Sequence, residues 1–333
     1  MRDLQLLRAA ALLAIFAFAL PSPGQTPAYR YYRVGNPADA AGAPKPGFAL
    51  MGGGTDLDEA FGWLCAHAGG GDLVVLRATD HDDYNAYIQK LCKVNSVATI
   101  VLPSRAAAND PFVAKTIREA SAIFISGGDQ ANYINYWMGT PVEVAVNEAI
   151  ARGVPIGGTS AGLAVLGEYA YSAQGDKPDD PNLDGKTAMG DPFGRQITVV
   201  HGFLDIPILN GVITDTHFAT RNRMGRLLVF LARLNADGRI VRGIGVEQRV
   251  AVLLEPDGEA RVVGHGSAYF VTLKQPAEVL AAGKPMTLHN VEALKVKPGH
   301  VFNVKTWRGE AAQYTLNVDA GALTSTQAGG SVY

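Results

Sequence analysis

From residue 47 to residue 160 this chain alternates short apolar runs with helical patterns, and three of the runs stop at glycine-rich turns. The runs fall at 47–51, 72–76, 96–102, 122–125 and 154–156, with helical spacing expected at 56–68, 82–92, 110–120 and 143–152. Runs this apolar, with helices between them, suit strands covered on both faces, which specifies a parallel sheet. The expectation is an α/β protein with a doubly wound, mostly parallel sheet. The turns Gly52-Gly53-Gly54, Gly127-Gly128 and Gly157-Gly158 each follow an expected strand. Ligands of open parallel sheets bind beyond the carboxyl ends of the strands, so three such turns argue for one site built from three loops.

The third turn carries a nucleophile. Gly158-Thr159-Ser160-Ala161-Gly162 follows Val154-Pro155-Ile156, and Leu163 to Glu168 read as the first turns of a helix. Strand, tight turn and helix are the context of a nucleophile elbow, which strains the serine backbone and lifts its hydroxyl clear of the sheet. The flanking glycines leave room where a Cβ would strike the neighbouring strand or helix. The amides that follow are placed to stabilise an oxyanion.

A serine nucleophile requires a base, and usually an acid to orient that base. His217, in Asp215-Thr216-His217-Phe218, ends the expected strand 212–214 and is the best candidate. His81, set among carboxylates in Thr79-Asp-His-Asp-Asp-Tyr84, is its rival. A helix over 221–234 follows, with Met224, Leu227, Leu228, Leu231 and Leu234 at helical spacing. Arg221, Arg223 and Arg226 stand at its start, the last two on one face. With Asp215 they form either a carboxylate clamp or a bracing ion-pair network.

Composition removes other classes. The chain has 333 residues, 47% of them hydrophobic and 18% charged, with a net charge of −2. That is enough apolar material for a large core, and it offers no basic footprint for nucleic acid. Neither Cys-x-x-Cys nor His-x-x-x-His occurs, so no structural metal is expected, and chemistry on a serine nucleophile calls for no metal or organic cofactor. Arg2 and Arg8 precede the apolar run Ala9–Leu20 and a Pro21-Ser-Pro-Gly24 break. This is the layout of a secretory signal peptide, too short to span a bilayer, and it predicts an exported protein free of the membrane after cleavage. Cys65 and Cys92 could pair there or remain buried thiols. Residues 172–200 read as a long polar loop. Beyond Ile244 the chain turns β-rich at 250–254, 260–263, 268–272 and 301–304, with Pro256-Asp257-Gly258 as a hairpin turn.

Gly52-Gly-Gly54, Gly127-Gly-Asp-Gln130, Gly158-Thr-Ser-Ala-Gly162, Asp215-Thr-His-Phe218 with Arg221, Arg223 and Arg226, and Gly243-Ile-Gly245 occur in the same order in a known family. Over residues 46 to 275 the chain resembles the cyanophycinase-like serine exopeptidases of the dipeptidase E-related peptidase family S51. The resemblance implies a sheet of the class I glutamine amidotransferase-like, flavodoxin-like type, with serine replacing the nucleophilic cysteine. With the signal peptide at 1–25, the chain then divides into a catalytic α/β domain at 29–275, which carries the resemblance, and a β-rich C-terminal extension at 276–333 packed on it. The resemblance makes Ser160 the nucleophile and His217 the base, with Gly53, Gly54 and Ala161 forming the oxyanion hole. Gln130, Asp215, Thr216, Arg221, Arg223 and Arg226 would bind substrate. In cyanophycinases the substrate is cyanophycin, an aspartate backbone carrying arginine through isopeptide bonds, released as β-Asp-Arg dipeptides. A homodimer is implied as well.

Two departures stand out. The family reads Gly-Ile-Gly-Ile-Asp-Glu where this chain has Gly243-Ile-Gly-Val-Glu247-Gln248, and it draws its orienting acid from that segment. Glu247 is the expected acid, with Glu168 and Asp176 as alternatives. Thr216 stands where cyanophycinases often have glutamine. The rival readings are an α/β-hydrolase-type esterase and a catalytically impaired homologue that binds peptides. Against the esterase, that fold places its acid and then its histidine well downstream of the serine.

Overall fold

The computed structural model describes residues 27–176 and 182–333; the expected signal peptide lies outside the described residues. In chain order the first strands and helices are β1 (Arg30–Gly35), β2 (Phe48–Met51), α1 (Asp58–His67), β3 (Asp72–Arg77), α2 (Asp83–Leu91) and β4 (Ser96–Val101). Then come α3 (Arg105–Ala108), α4 (Pro111–Glu119), β5 (Ala122–Ile125), α5 (Gln130–Trp137), α6 (Pro141–Ala151), β6 (Ile156–Thr159) and α7 (Ala161–Ala164). The middle of the chain gives β7 (Tyr169–Tyr171), α8 (Gly185–Gly190), β8 (Val199–His201), β9 (Val212–Asp215), α9 (Met224–Ala236) and β10 (Arg242–Val246). The remainder is mostly strand: β11 (Val250–Leu254), β12 (Glu259–Gly264), β13 (Ala268–Thr272), β14 (Leu288–Val296), β15 (Val301–Asn303), β16 (Arg308–Gly309), β17 (Ala312–Asp319) and β18 (Ala322–Ser325).

These strands form two mixed sheets, which corrects the expectation of a mostly parallel one. The first sheet runs β1-β4-β3-β5-β6-β2-β11-β12-β15-β16, and only its middle, from β4 to β2, is parallel. The second runs β18-β17-β14-β13-β10-β9-β7-β8, with parallel pairing confined to β10-β9-β7. Tight turns such as Pro256-Asp-Gly258 reverse the chain, and hairpin neighbours must pair antiparallel. Strands joined through helices pair parallel.

Three apolar layers hold the sheets. Phe61, Leu64, Leu73, Val75 and Ile88 fill the space under α1 and α2. Leu50, Ile123, Val146, Leu163, Ile244 and Phe270 join the other face of the first sheet to the inner face of the second. Ile213, Leu227, Leu231, Val271 and Leu316 seal the outer face of the second sheet beneath α9. All five apolar positions expected on the 221–234 helix are buried. Helix α7 is a single turn rather than the start of a longer helix. Gly167 presses against the backbone of Val212 and Tyr169, so the chain must leave the helix and turn into β7. The segment expected to be a long loop at 172–200 holds α8 and the start of β8, both too short to show a period.

Cys65 and Cys92 are joined, with Cα atoms 5.8 Å apart, tying α1 to the end of α2. Cross-linking across 27 residues removes unfolded-chain entropy worth about 3.5 kcal/mol. A Cys65→Ala, Cys92→Ala double variant should therefore melt several degrees lower than the oxidised protein, and reduction should reproduce most of that loss in a thermal melt.

Candidate active site

Strands β5, β6 and β2 are neighbours, so the loops that follow them emerge side by side. Ser160 follows β6 with φ 53° and ψ −117°, a backbone conformation that non-glycine residues adopt only where the surroundings enforce it. The motif glycines supply that enforcement. A Cβ on Gly158 would lie 2.5 Å from the Gly162 backbone, and one on Gly162 would lie 2.0 Å from the Ile125 carbonyl oxygen. The loop after β5 is held from behind by Tyr133, whose hydroxyl is shared between the carbonyls of Ser126 (2.9 Å) and Gly127 (3.0 Å).

His217 arrives from the second sheet, on the turn after β9. It too has positive φ, 44°, and its Nε2 is 2.7 Å from the Ser160 hydroxyl. Its amide donates to the Gly52 carbonyl at 2.8 Å, which joins the two sheets at the site. The ring rests on Gly53, where φ is +97° and a Cβ would meet ring atoms at 2.5 Å. Only glycine fits there. The amides of Gly53, Gly54 and Ala161 donate to no acceptor among the described residues. His81, the rival base, is not the partner of the Ser160 hydroxyl: its carbonyl accepts from Arg77, and it is not among the residues lining the cleft beside Ser160.

The residue at the other ring nitrogen is not the expected acid. Gln248 places its side-chain amide 2.8 Å from His217 Nδ1. Glu247 turns away from the ring, at the head of a tight turn in which the Val250 amide donates to the Glu247 carbonyl. Its carboxylate accepts from the amides of Ala219 and Thr220, the Thr220 hydroxyl (2.6 Å) and the Gln248 amide (2.6 Å). It braces the turn that carries His217 without touching the ring. Neither alternative acid reaches the site's histidine: Glu168 pairs with His201, and Asp176 accepts from the Tyr171 hydroxyl.

Burial, with Arg221 and Arg223 nearby, pushes the His217 imidazole down to about 3 from its usual value near 6.5. The neutral base therefore persists well into acid. Labelling of Ser160 by a fluorophosphonate should hold its rate below pH 6 and fall off only toward the depressed value. A midpoint near 6.5 would contradict this environment.

The three arginines have three different situations. Arg226 is fully buried, bidentate to Asp215 (2.8 and 2.5 Å), bonded to the Leu183 carbonyl, and stacked 4.8 Å from the Tyr171 ring. Asp215 and Arg226, both expected to bind substrate, thus commit their charges to each other. Arg223 donates to the Thr216 carbonyl and hydroxyl (3.0 Å each) and to Asn182 (2.9 Å), while its Nε has no partner among the described residues. Arg221 is exposed. Tyr333 closes the outer side of this turn. Its hydroxyl accepts from the Met224 amide (2.9 Å) and donates to Asn222 (3.1 Å), with its ring against Phe218 and Tyr269.

A cleft of about 770 Å³ opens beside Ser160, lined by Thr216, Arg221 and Arg223 and by Asp129 and Gln130. Tyr171, Gln174, Asp176 and Asn182 also line it. Sequence reasoning did not assign these to binding, because they sit in a segment without periodic pattern. Asp215→Ala should cost about 3–5 kcal/mol, since it strands the Arg226 cation in the interior. Chemical denaturation should show that loss even where Ser160 remains reactive.

A serine at a strained strand-to-helix turn, a histidine on its hydroxyl and unpaired amides beside both define a serine-hydrolase type of site on an α/β sheet. The family model for peptidase family S51 matches residues 75–257, and the chain belongs to that family. A cyanophycinase of Trichormus variabilis is 30% identical over 202 residues, covering 58% of this chain and 60% of that protein. A cyanophycinase of Synechococcus elongatus is 28% identical over 223 residues, covering 64% of this chain and 62% of that protein. The chain thus spans 60% and 62% of the length of those two curated relatives. The solved structure of a peptidase from an acI-B1 Actinobacterium matches 79% of this chain and 98% of its own length, with a TM-score of 0.50 at 16% identity. That likeness shows a shared fold.

Proposed function

We propose that this protein is an exported serine exopeptidase that hydrolyses β-aspartyl isopeptide bonds through an acyl-enzyme on Ser160, with cyanophycin or a related β-aspartyl peptide as substrate. The observation that carries the reading is the 2.7 Å contact between Ser160 and His217 at the edge of a cleft with Arg221 and Arg223 on its wall. Family membership supports the chemistry, and the cyanophycinase relatives support the substrate class. The disulfide supports an oxidising compartment, in line with the signal-peptide layout of the first 25 residues.

In this reading His217 takes the Ser160 hydroxyl proton as the oxygen attacks the isopeptide carbonyl. The amides of Gly53, Gly54 and Ala161 receive the developing oxyanion. Arg221, the most accessible of the three guanidinium groups, holds a substrate carboxylate, with Arg223 behind it. Gln130 and Thr216 border the same space. Asp215 and Arg226 shape the pocket without contacting the substrate's charges.

Incubating the mature protein with cyanophycin, β-Asp-Arg, β-Asp-Lys and p-nitrophenyl esters tests this. Dipeptide release should fall at least about a thousandfold in Ser160→Ala. Ester turnover alone would replace the reading with an esterase. Polymer binding without turnover would favour the impaired homologue, a reading motivated by the amide of Gln248 in the acid's place.

A further inference from the structure

The two contacts of the His217 ring constrain its protons. Its Nε2 lies against a hydroxyl and its Nδ1 against a carboxamide nitrogen. If the ring accepted from both, it would carry no proton, which a neutral imidazole cannot do. One contact must run the other way. Either Nε2–H donates to Ser160, leaving a serine that nothing can deprotonate, or Nδ1–H donates to the carbonyl end of the Gln248 amide. Turning the amide about its last bond exchanges its nitrogen for its oxygen without moving the side chain. Only that arrangement frees Nε2 to accept the serine proton.

We propose that Gln248 is the positioning residue of His217, holding the ring in its Nδ1–H form through an uncharged carbonyl. The proposal rests on the serine-peptidase reading above. Its surroundings allow no other orienting group among the described residues. The ring lies on Gly53, which has no side chain, and Gln248 lies against Gly54. Glu247, the adjacent carboxylate, is consumed by four donors on the 219–220 turn and on Gln248 itself. Asp215 is consumed by Arg226.

The Ser160 O–H proton then passes to Nε2 as Oγ bonds to the carbonyl carbon, and the carbonyl electron pair moves onto oxygen. On collapse the carbon–nitrogen bond breaks and the Nε2 proton leaves with the amine. Nδ1 keeps its proton throughout, on the Gln248 oxygen. The imidazolium formed midway meets a dipole where a carboxylate would give a full charge. It also faces Arg221, Arg223 and Arg226, with Asp215 and Glu247 the carboxylates nearby. The base is therefore correctly oriented and electrostatically undersupported.

Three forms compared by fluorophosphonate labelling of Ser160, and by the ring-nitrogen signals of ¹⁵N-histidine protein, test this. Gln248→Leu keeps bulk and removes the amide, and should slow labelling about a hundredfold or more. It should also abolish the hydrogen-bonded Nδ1–H signal. Gln248→Glu should restore that signal, label faster than the native protein, and move the acid limb of the pH profile upward, because a carboxylate favours the imidazolium. Native labelling by Gln248→Leu, or a native ring protonated at Nε2, would overturn the proposal. If native Ser160 takes no label at all, the peptidase reading falls while the nitrogen signals still decide the role of Gln248.

Discussion

Everything at the site hangs on the seam where the two sheets touch. The His217 amide donates to Gly52, the Arg249 amide to Gly53, and the Gly52 amide to Val250, so one glycine loop accepts the turns that leave β9 and β10. Ser160 is carried by the first sheet and His217 by the second. Their 2.7 Å contact is therefore a measure of how the sheets are docked. The apolar layer between them supplies the docking energy, and the backbone bonds at the seam set its register. A Cβ at Gly53 would strike the imidazole, and one at Gly52 would lie 2.0 Å from the Glu247 carbonyl. Small residues here set the spacing of the whole active site.

Much of this was readable from the chain because it is local. The elbow's glycines, its serine and the preceding strand lie within a few residues of one another, and strain at Ser160 follows from their packing. That the glycine turns at 52–54 and 127–128 converge beside Ser160 followed from the rule that parallel strands share an end. Gly157 and Gly158, expected as a third turn, are instead residues of β6 itself. The pairing across the rest of the sheets was less accessible. Strands β7 and β8 are three residues each, and β14 is marked by a register shift between Leu288 and Val291, so none shows a clean period.

Side-chain partnership was the hardest part to read. Chemical habit favours a carboxylate beside a histidine, and Glu247 is one residue from the group that occupies that place. Whether a side chain points to the ring or to the 219–220 turn depends on backbone direction at one peptide. Asp215 and Arg226 looked like substrate ligands because they are charged and near the base. Their bidentate contact in the interior, eleven residues apart and beneath Tyr171, emerges only once α9 is packed. Three arginines in one short stretch thus divide into a buried strut, a partly bonded wall and an open cation.

The chain beyond residue 276 divides its strands between the sheets. β15 and β16 extend the first beside β12, while β14, β17 and β18 extend the second beside β13. Without them β12 and β13 would each present a bare row of backbone donors and acceptors, the form of edge that invites pairing with another chain. The segment thereby moves those two edges away from the catalytic strands, onto a two-residue strand in one sheet and a four-residue strand in the other. Edges as short as these offer little backbone for another chain to pair with.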